Sequence, residues 1–402
     1  MFFNSYSVFI TIVIFVLVFN AARFLTPNIY VRNLVLLFGT LIIGLTLVKE
    51  HTIIVLAIIS VLVFTIGRIL NSNHSLRLLQ AALFIVIALF SIRNYPYLHD
   101  NLSTVFLGYI KAPILSVQKL GLSYIIFRYI HYLVESYKNK ISEANLLTFL
   151  SYILFFPSIL AGPIDTYRNF QYWLNRPFTK YNKSLFFAGI TRIFLGAFKT
   201  LAIVPLIINY ALDYKLLLSD YSPFAAISLS MIAYSAYIYI DFSGYSDIAI
   251  GTAFLLGIKT PENFNNPYFS SSLSEFWKRW HITFSNFLKI YVFKPIISMY
   301  NKVLGKQYKL TVTILGYITT FAICGLWHGD KINFLYWGIW HGIGLALNKV
   351  WFIYFRSNTI SKVNVQLYKG LSIIVTFLFV TVGWTFFNYT HEQLIEIYKV
   401  LV

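Results

Sequence analysis

The sequence predicts an all-α polytopic membrane protein, and three observations support this fold class. Of the 402 residues, 58% are hydrophobic and only 11% are charged, whereas a typical soluble domain has roughly 25% charged residues. The mean hydropathy is +0.69. Long stretches of the chain are almost free of charged residues. Because a helix that spans a bilayer needs about 20 mostly apolar residues, these stretches predict membrane-spanning helices.

The apolar stretches follow one another along the whole chain. They cover residues 7–20, 33–48, 52–66, 79–92, 147–162, 186–211, 223–240, 311–326, 332–347 and 371–387. Several are shorter than a full span, so we expect about 10–12 transmembrane helices together with interfacial or re-entrant helices. No Gly/Ser-rich or Pro-rich linker divides the chain. The sequence therefore predicts a single integral membrane domain over residues 1–402.

The charge distribution indicates contact with lipid and not with nucleic acid. Lys and Arg number 32 against 14 Asp and Glu, which gives a net charge of +18. These cations are spread through short loops, as at Arg23, Arg32, Arg68 and Arg77, which suits anionic headgroups and the positive-inside rule. Arg23 and Arg32, between the first two spans, favour an external N-terminus. The single Cys324 excludes an intramolecular disulfide and a Cys-rich metal site, and we expect no bound metal.

The character of the sequence changes at about residue 120. Residues 1–115 form a series of plain hydrophobic helices, whereas polar residues, glycines and prolines interrupt the later apolar stretches. The interruptions are residues 155–168, with two prolines that break a helix, residues 241–247 (DFSGYSD) and residues 261–268 (PENFNNPY). Irregular backbone at membrane depth persists only where protein or a water-filled cavity surrounds it. These segments therefore predict a site.

A stretch with the sequence FWKRWH lies in a predicted amphipathic helix over residues 271–291. Its apolar residues recur at helical spacing, its polar face carries Lys278 and Arg279, and Trp residues line the apolar face, as expected for a helix in the membrane interface. Ser271 or Ser272 is the predicted N-cap, with Glu275 in the first turn. His281 follows Trp277 by four residues, so the helical spacing places it on the apolar face, pointing inward.

Two more histidines, His328 and His341, lie in or beside hydrophobic stretches. An ionisable side chain within a spanning segment is a functional hypothesis, since burying its charge is costly, and a neutral imidazole accepts a proton near physiological pH. The alternative for each of the three histidines is a structural role, and these residues alone do not rank them. The chain has no GxSxG, HExxH, Walker A or Cys/His zinc pattern.

Six segments together resemble the membrane-bound O-acyltransferase family. They are LGLSYIIFRYIHYLVE (120–135), FFPSILAGPIDTYRNF (155–170), DFSGYSDIAIG (241–251), PENFNNPY (261–268), EFWKRWHITFSNFLK (275–289) and GLWHGDKINFLYWGIWHG (325–342). The resemblance places a catalytic core at residues 120–345, followed by a C-terminal loop and last helices at 346–402. It is strongest to the bacterial group that contains alginate O-acetyltransferases and the D-alanyl transferases of teichoic acid.

The resemblance implies a ring of helices around a central funnel, with His328 as the catalytic base and His281 lining the same funnel. In that arrangement we expect Asn263, Asn265 and Trp327 to form pocket walls. Lys278 and Arg279 would meet headgroups or donor phosphates, and Trp280 and His341 would contribute to substrate binding.

The expected function is transfer of an acyl group, acetyl in the first instance, from a cytoplasmic donor to a hydroxyl of an exported or cell-envelope polysaccharide. The donor, an acyl-CoA or an acyl-carrier protein, would be a co-substrate and no cofactor would be bound. Membrane lipids and an extracytoplasmic acyltransferase or other polymer-modification proteins are the expected partners, at the cytoplasmic membrane of the cell.

Alternatives stay open. DFSGYSDIAIG and the LWHG segment favour the alginate-acetylating type, whereas GPIDTYRNF and the chain length favour D-alanyl transfer to teichoic acid. The stretch YVFKPIISMY after the RWH segment departs from the alginate type. A polysaccharide or lipid transporter and a non-catalytic scaffold of a secretion complex are alternatives of another class. An inverted repeat would favour a transporter, and the sequence shows none.

Overall fold

A computed structural model of the protein describes residues 6–26, 28–47, 50–94, 122–141, 144–176, 183–355 and 364–401. Every regular element within these ranges is a helix. The predicted change of sequence character near residue 120 lies outside the described residues. The all-α fold class is confirmed for the part of the chain that the structure describes.

The helices fall into two compact units. The first unit, residues 1–196 and 245–261, contains α1 (Tyr6–Leu25), α2 (Ile29–Leu47), α3 (Glu50–Asn73), α4 (Leu76–Asn94), α5 (Leu122–Tyr137), α6 (Leu146–Ile153), α7 (Tyr167–Asn175), most of α8 (Lys183–Phe198) and the end of α10. The second unit, residues 197–244 and 262–402, contains α9 (Val204–Leu212), most of α10 (Pro223–Leu255), α11 (Leu273–Arg279), α12 (Ile282–Phe287), α13 (Lys294–Leu304), α14 (Lys309–His328), α15 (Ile332–Tyr354), α16 (Val365–Asn388) and α17 (His391–Leu401). The single domain expected from the sequence stays a prediction.

Membrane-spanning capacity is present in both units. Five described segments are long and apolar enough to cross a bilayer: Ile53–Asn73, Lys183–Leu212, Pro223–Leu255, Lys306–His328 and Val365–Asn388. Four shorter apolar helices accompany them, at Ile10–Leu25, Ile29–Gly44, Leu76–Ser91 and Leu146–Ser158. This is a multi-pass arrangement, with fewer full-length spans in the described ranges than the expected number of about 10–12.

The predicted apolar stretches are helical wherever the chain is described, except at residues 147–162. There α6 ends at Ile153, and a short 3-10 turn at Phe156–Ser158 follows, with Pro157 in it. The carbonyl groups that lose their helical hydrogen-bond donors at the end of α6 have another donor. The buried guanidinium of Arg128 donates hydrogen bonds to the carbonyl oxygens of Tyr152 and Ile153 at 2.8 and 2.7 Å. The predicted helix break is present, and a charged side chain stabilises it.

The segment DFSGYSD at residues 241–247 is not the predicted interruption, because α10 runs through it without a break. The segment contains no proline, and two of its polar side chains have partners, one on the same helix and one on α8. In the second unit, Ser243 donates from Oγ to the carbonyl of Ile240 at 3.4 Å. In the first unit, Asp247 pairs with Arg192 at 2.9 Å. Polar composition alone was therefore a misleading sign of irregular backbone.

In the second unit, α14 and α15 form a tightly packed antiparallel pair. A Cβ atom at Gly338 would overlap the carbonyl of Phe321, and one at Gly342 would lie 2.8 Å from the Cα of Ile318. Gly325, on the other helix, faces the backbone of Phe334 in the same way. Small residues allow helix backbones to approach closely. This pair fixes the end of α14, where His328 lies, against α15.

Candidate active site

The FWKRWH stretch begins as the predicted capped helix. Ser272 is the N-cap of α11, and its Oγ accepts a hydrogen bond from the backbone N–H of Glu275 at 3.2 Å. The Glu275 carboxylate accepts from the backbone N–H of Ser271 at 2.9 Å and pairs with Arg279 at 2.7 Å. These bonds hold its pKa below the ordinary value although partial burial opposes them. The first turn is thus fixed by the Ser272 N-cap, by the hydrogen bond from Ser271 to Glu275 and by an ion pair.

The prediction of one helix over residues 271–291 is wrong. Helix α11 ends at Arg279, Trp280 is extended, and His281 has a φ of +41° before α12 begins at Ile282. A left-handed conformation is uncommon outside glycine, although histidine is among the side chains that adopt it more readily. The argument from helical spacing therefore does not apply to His281, even though its side chain is buried as expected.

The break is held open by the preceding PENFNNPY segment. The backbone N–H of Asn265 donates to the carbonyl of Arg279 at 2.9 Å, and that of Ile282 donates to the carbonyl of Asn263 at 2.8 Å. These bonds satisfy backbone groups on both sides of His281, which a broken helix would otherwise leave bare. The PENFNNPY segment, which lies outside the predicted helix, thus determines where α11 ends.

The His281 side chain is held by Asn263, which is fully buried. Asn263 Oδ1 lies 2.9 Å from His281 Nδ1 and accepts a second bond from Thr283 Oγ1 at 2.9 Å. Because an amide oxygen can only accept, the proton of the neutral imidazole lies on Nδ1 and the lone pair on Nε2. Burial, and secondarily the nearby charge of protonated His328, lower the pKa of His281 to about 3. His281 is therefore neutral at physiological pH.

His328 is the last residue of α14 and is half-buried among aromatic rings. Its ring centroid lies 4.5 Å from that of Trp327, 5.0 Å from Trp337 and 4.9 Å from Phe387. Among the described residues, no side chain or backbone group forms a hydrogen bond with its ring nitrogens. An imidazole in apolar surroundings, without an internal partner, is suited to accept a proton from a group that enters the site.

The structure brings His281 and His328 to the same aromatic ring. The centroid of Phe284 lies 5.0 Å from that of His281 and 6.5 Å from that of His328. The ring of Trp327 also packs against Phe284, with centroids 4.8 Å apart and a tilt of 33°. Two histidines that are distant in sequence thus share one wall, one with its tautomer fixed and the other without a hydrogen bond to the described protein.

His341 lies deeper than His328 and is fully buried. Its ring lies 5.1 Å from Trp337 and 5.2 Å from Trp277. Neither of its ring nitrogens has a hydrogen-bond partner within the described ranges. A Cβ atom on Gly383 would lie 2.8 Å from His341 Nε2, so α16 also closes on this ring. Trp337 therefore separates two imidazoles, the half-buried His328 and the enclosed His341.

The remaining predicted residues occupy different surroundings. Trp327 lies beside His328, as a pocket wall would, and Trp280 is buried between Phe276 at 5.6 Å and Trp384 at 5.0 Å. Asn265 is exposed and contributes its backbone to the helix break. Lys278 is exposed, whereas Arg279 is half-buried in its ion pair with Glu275. Their assigned roles stay predictions.

Sequence reasoning missed four residues that shape this site. Phe284 lies between the two histidines, Trp337 contacts both His328 and His341, Phe387 covers His328 from α16, and Thr283 shares the oxygen of Asn263. Trp337 stands in the WGIWHG segment, so its place beside a histidine could have been suspected. Phe387 carries no local signal in the sequence. Within the described residues, no group of three or more His, Cys, Asp or Glu side chains is placed to hold a metal ion.

Comparison with known proteins gives this site a context. The family model for MBOAT, the membrane-bound O-acyltransferase family, matches residues 34–391. The probable alginate O-acetylase AlgI of Azotobacter vinelandii is 34% identical over 270 residues, which are 67% of this chain and 50% of that protein. The teichoic acid D-alanyltransferase of Bacillus subtilis is 30% identical over 281 residues, 67% of this chain and 68% of that protein. The peptidoglycan O-acetyltransferase of Helicobacter pylori is 29% identical over 310 residues, 70% of this chain and 56% of that protein.

The match to the alginate O-acetylase thus spans about half of that protein's length. The family match covers more of this chain than the match to the alginate O-acetylase does. It extends over residues 34–391, which include all three histidines of the site and all six segments on which the resemblance rested. The predicted family is confirmed. The chain belongs to the membrane-bound O-acyltransferase family.

Proposed function

We propose that the protein transfers an acetyl group from an activated cytoplasmic donor to a hydroxyl of a cell-envelope or exported polysaccharide. The observation that carries this proposal is the pair of imidazoles at Phe284, His328 without a hydrogen bond to the described protein and His281 with its tautomer fixed. Family membership supports acyl transfer. The names of relatives that acetylate alginate or peptidoglycan support acetyl as the group and a polysaccharide as the acceptor.

His328 is the proposed general base. Its neutral imidazole takes the proton of the acceptor hydroxyl as that oxygen attacks the acyl carbonyl carbon. The new carbon–oxygen bond forms, the carbon–sulfur bond of a thioester donor breaks, and the proton passes to the departing sulfur. General-base catalysis of this kind contributes about 10²–10⁴-fold to the rate.

His281 is the proposed positioning group of the reaction. Its Nδ1–H is committed to Asn263, which orients the ring and places the lone pair on Nε2. Through Nε2, the His281 ring orients the donor or the acceptor hydroxyl beside His328. The donor is an acyl-CoA or an acyl-carrier protein, and an extracytoplasmic acyltransferase would receive or pass on the group. The proposed location is the cytoplasmic membrane.

D-alanyl transfer from a carrier protein to teichoic acid is the second candidate. The Bacillus subtilis D-alanyltransferase favours it, because the match extends over 68% of that protein, against 50% for the alginate O-acetylase. The histidine chemistry would be the same, since both reactions join an acyl carbon to a hydroxyl oxygen.

The test is acyl transfer by the purified full-length protein in liposomes. Radiolabelled acetyl thioester and D-alanyl carrier protein are supplied separately, each with alginate, peptidoglycan fragments or teichoic acid as acceptor. We expect labelled polymer from one donor, and a loss of about 10²-fold or more with His328→Ala. His391→Ala is the matched control, since His391 is exposed at the start of α17 and is expected to keep full activity.

Equal transfer by wild type and His328→Ala would contradict the general-base role. No transfer from either donor, with flux of an intact polysaccharide or lipid into the liposomes, would favour a transporter. Transfer that appears only when another membrane protein is added, and that is unaffected by His328→Ala, would favour a scaffold.

A further inference from the structure

The first unit contains a polar cavity that is separate in chemistry from the histidine site. It has a volume of about 380 Å³ and is lined by α3 and α5, with Arg68, Asn71, Tyr132 and Ser136 among its walls. That volume lies within the range of about 300–1,000 Å³ that is typical of ligand pockets. Nothing in the proposed acyl transfer uses these side chains.

The walls present hydrogen-bonding groups that the protein itself does not satisfy. Tyr132 is 0% exposed, and its hydroxyl lies close to Ser136 but forms no bond of hydrogen-bonding geometry with it. Asn71 Oδ1 is also buried without a partner. A buried polar group without a hydrogen-bond partner destabilises the fold. Groups of this kind that face a cavity indicate a polar occupant.

Gly67 makes this arrangement possible. A Cβ atom at this position would overlap the ring of Tyr132 and lie 3.2 Å from Ser136 Oγ. The glycine therefore allows α5 to bring both hydroxyls against α3, beside Arg68. An alanine at this position would push the ring out of place.

The cavity lies at the end of a membrane-spanning segment. Arg68 and Asn71 belong to the last two turns of the span Ile53–Asn73. The ends of α3 and α5 are tied together, since His74 Nδ1 donates to the carbonyl of Tyr137 at 3.0 Å. An arginine near a helix end extends its guanidinium to the headgroup region. The cavity is thus placed at headgroup depth.

This end of the unit is basic. Lys138 and Lys140 lie 3.8 and 3.4 Å from the carboxylate of Glu135. Arg68 and Arg77 have no ion-pair partner among the described residues, and within those residues cations exceed carboxylates at this end. By the positive-inside rule such an end faces the cytoplasm, where the membrane surface is anionic.

We propose that this cavity binds the phosphoryl group of an anionic phospholipid headgroup. The Arg68 guanidinium donates to the phosphate oxygens, and the hydroxyls of Tyr132 and Ser136 complete the shell as donors. Charge-assisted hydrogen bonds to phosphate are stronger than neutral ones, and Arg suits phosphate geometry. The same chemistry would accept inorganic phosphate, and the experiment separates these two sources.

The test is native mass spectrometry of the detergent-purified full-length protein, titrated with dioleoylphosphatidylglycerol, with dioleoylglycerol, which lacks the phosphoryl group, or with inorganic phosphate. We expect the anionic lipid to bind at least about tenfold more tightly than the neutral lipid. Arg68→Gln and Tyr132→Phe should each weaken that binding by about tenfold. Arg77→Gln is the matched control, because it removes an exposed cation of α4 that does not line the cavity.

Tyr132→Phe keeps the ring that packs on Phe149 at 4.3 Å, so it isolates the hydroxyl if Arg68→Gln fails to fold. Equal affinity for both lipids, or equal binding by Tyr132→Phe, Arg77→Gln and wild type, would overturn the proposal. Inorganic phosphate that binds as tightly as the anionic lipid, with the same sensitivity to Tyr132→Phe, would support the phosphoryl site and identify free phosphate as its ligand.

Discussion

Buried polar side chains have opposite surroundings in two regions of the molecule, the network around Arg128 and the aromatic cluster around His328. Arg128 is 1% exposed and donates to two backbone carbonyls and to Ser158 Oγ, the last at 2.7 Å. Neither ring nitrogen of the buried His341 has a hydrogen-bond partner among the described residues, and the half-buried His328 forms no hydrogen bond with them either. In the first region the polar groups form hydrogen bonds within the protein, whereas in the second the two imidazoles do not.

Other members of the first region follow the same rule. His131 Nε2 accepts from the backbone N–H of Tyr167 at 3.2 Å, and Asp165 accepts from Asn169 Nδ2 at 2.9 Å. Satisfied buried networks rigidify a fold, whereas unsatisfied buried groups are costly and need a reason to persist. The difference teaches that the surroundings of His131 stabilise the fold, and it supports the proposal that His328 reacts with a substrate. The following substitutions test that contrast. They are given from the largest to the smallest expected change in free energy of unfolding or activation.

Arg128→Met is expected to have the largest effect on stability. It leaves the carbonyls at the end of α6 and the Ser158 hydroxyl without their donor, which should cost about 3 kcal/mol or more. Thermal unfolding of the purified protein in detergent measures the loss. Arg168→Met is the control, since Arg168 is exposed on α7, and it should unfold at the wild-type temperature. Equal unfolding temperatures for the two variants would break the contrast.

Asp165 predicts a pH-dependent stability. Burial raises its pKa to about 7, against the opposing hydrogen bonds of Asn169 and Thr166 and the charge of Arg128. The folded state therefore retains a proton between pH 4 and 7 that the unfolded chain releases, so this group's contribution to stability falls as pH rises through that window and is constant above it. Between pH 5 and 7 the change is about 2 kcal/mol.

Asp165→Asn removes the titrating group and should flatten this part of the profile. The measurement is the unfolding temperature of both proteins at pH 5, 6, 7 and 8. Parallel profiles for wild type and Asp165→Asn would show that Asp165 is ionised throughout, and that the network is held by a carboxylate.

The smallest expected effect belongs to the support of His281. Asn263→Ala removes the acceptor that fixes the His281 tautomer, and acyl transfer should fall about tenfold. Thr283→Val removes only the second donor to the same oxygen and should cost less than about threefold. Initial rates in liposomes measure both. A loss with Thr283→Val as large as that with Asn263→Ala would indicate a packing role for this corner.

The sequence predicted the helices well because apolar composition is a local property. The apolar stretches, the capping role of Ser272 and the break near Pro157 each depend on residues close together in the chain. Six ordered segments were also enough to identify the family. The predicted helix break at DFSGYSD was wrong, because other residues form hydrogen bonds with its polar groups and α10 continues through it.

The details of the site could not be predicted because they depend on contacts between distant segments. The break at His281 is held by Asn263 and Asn265, so helical spacing alone could not locate it. The ranking of His328 above His281 as the catalytic base came from the family resemblance. The structure adds that, of these two histidines, only His281 forms a side-chain hydrogen bond with a described residue. Phe387 reaches His328 from α16, and no pattern in the sequence connects the two.

The central claim is that His328 serves the reaction and contributes little to the fold. Thermal unfolding of purified His328→Gln, measured beside its rate of acyl transfer, tests it most directly. We predict an unfolding temperature equal to that of wild type together with a rate lower by about 10²-fold or more. A large drop in unfolding temperature with a wild-type rate per folded molecule would contradict the claim and make His328 a structural residue.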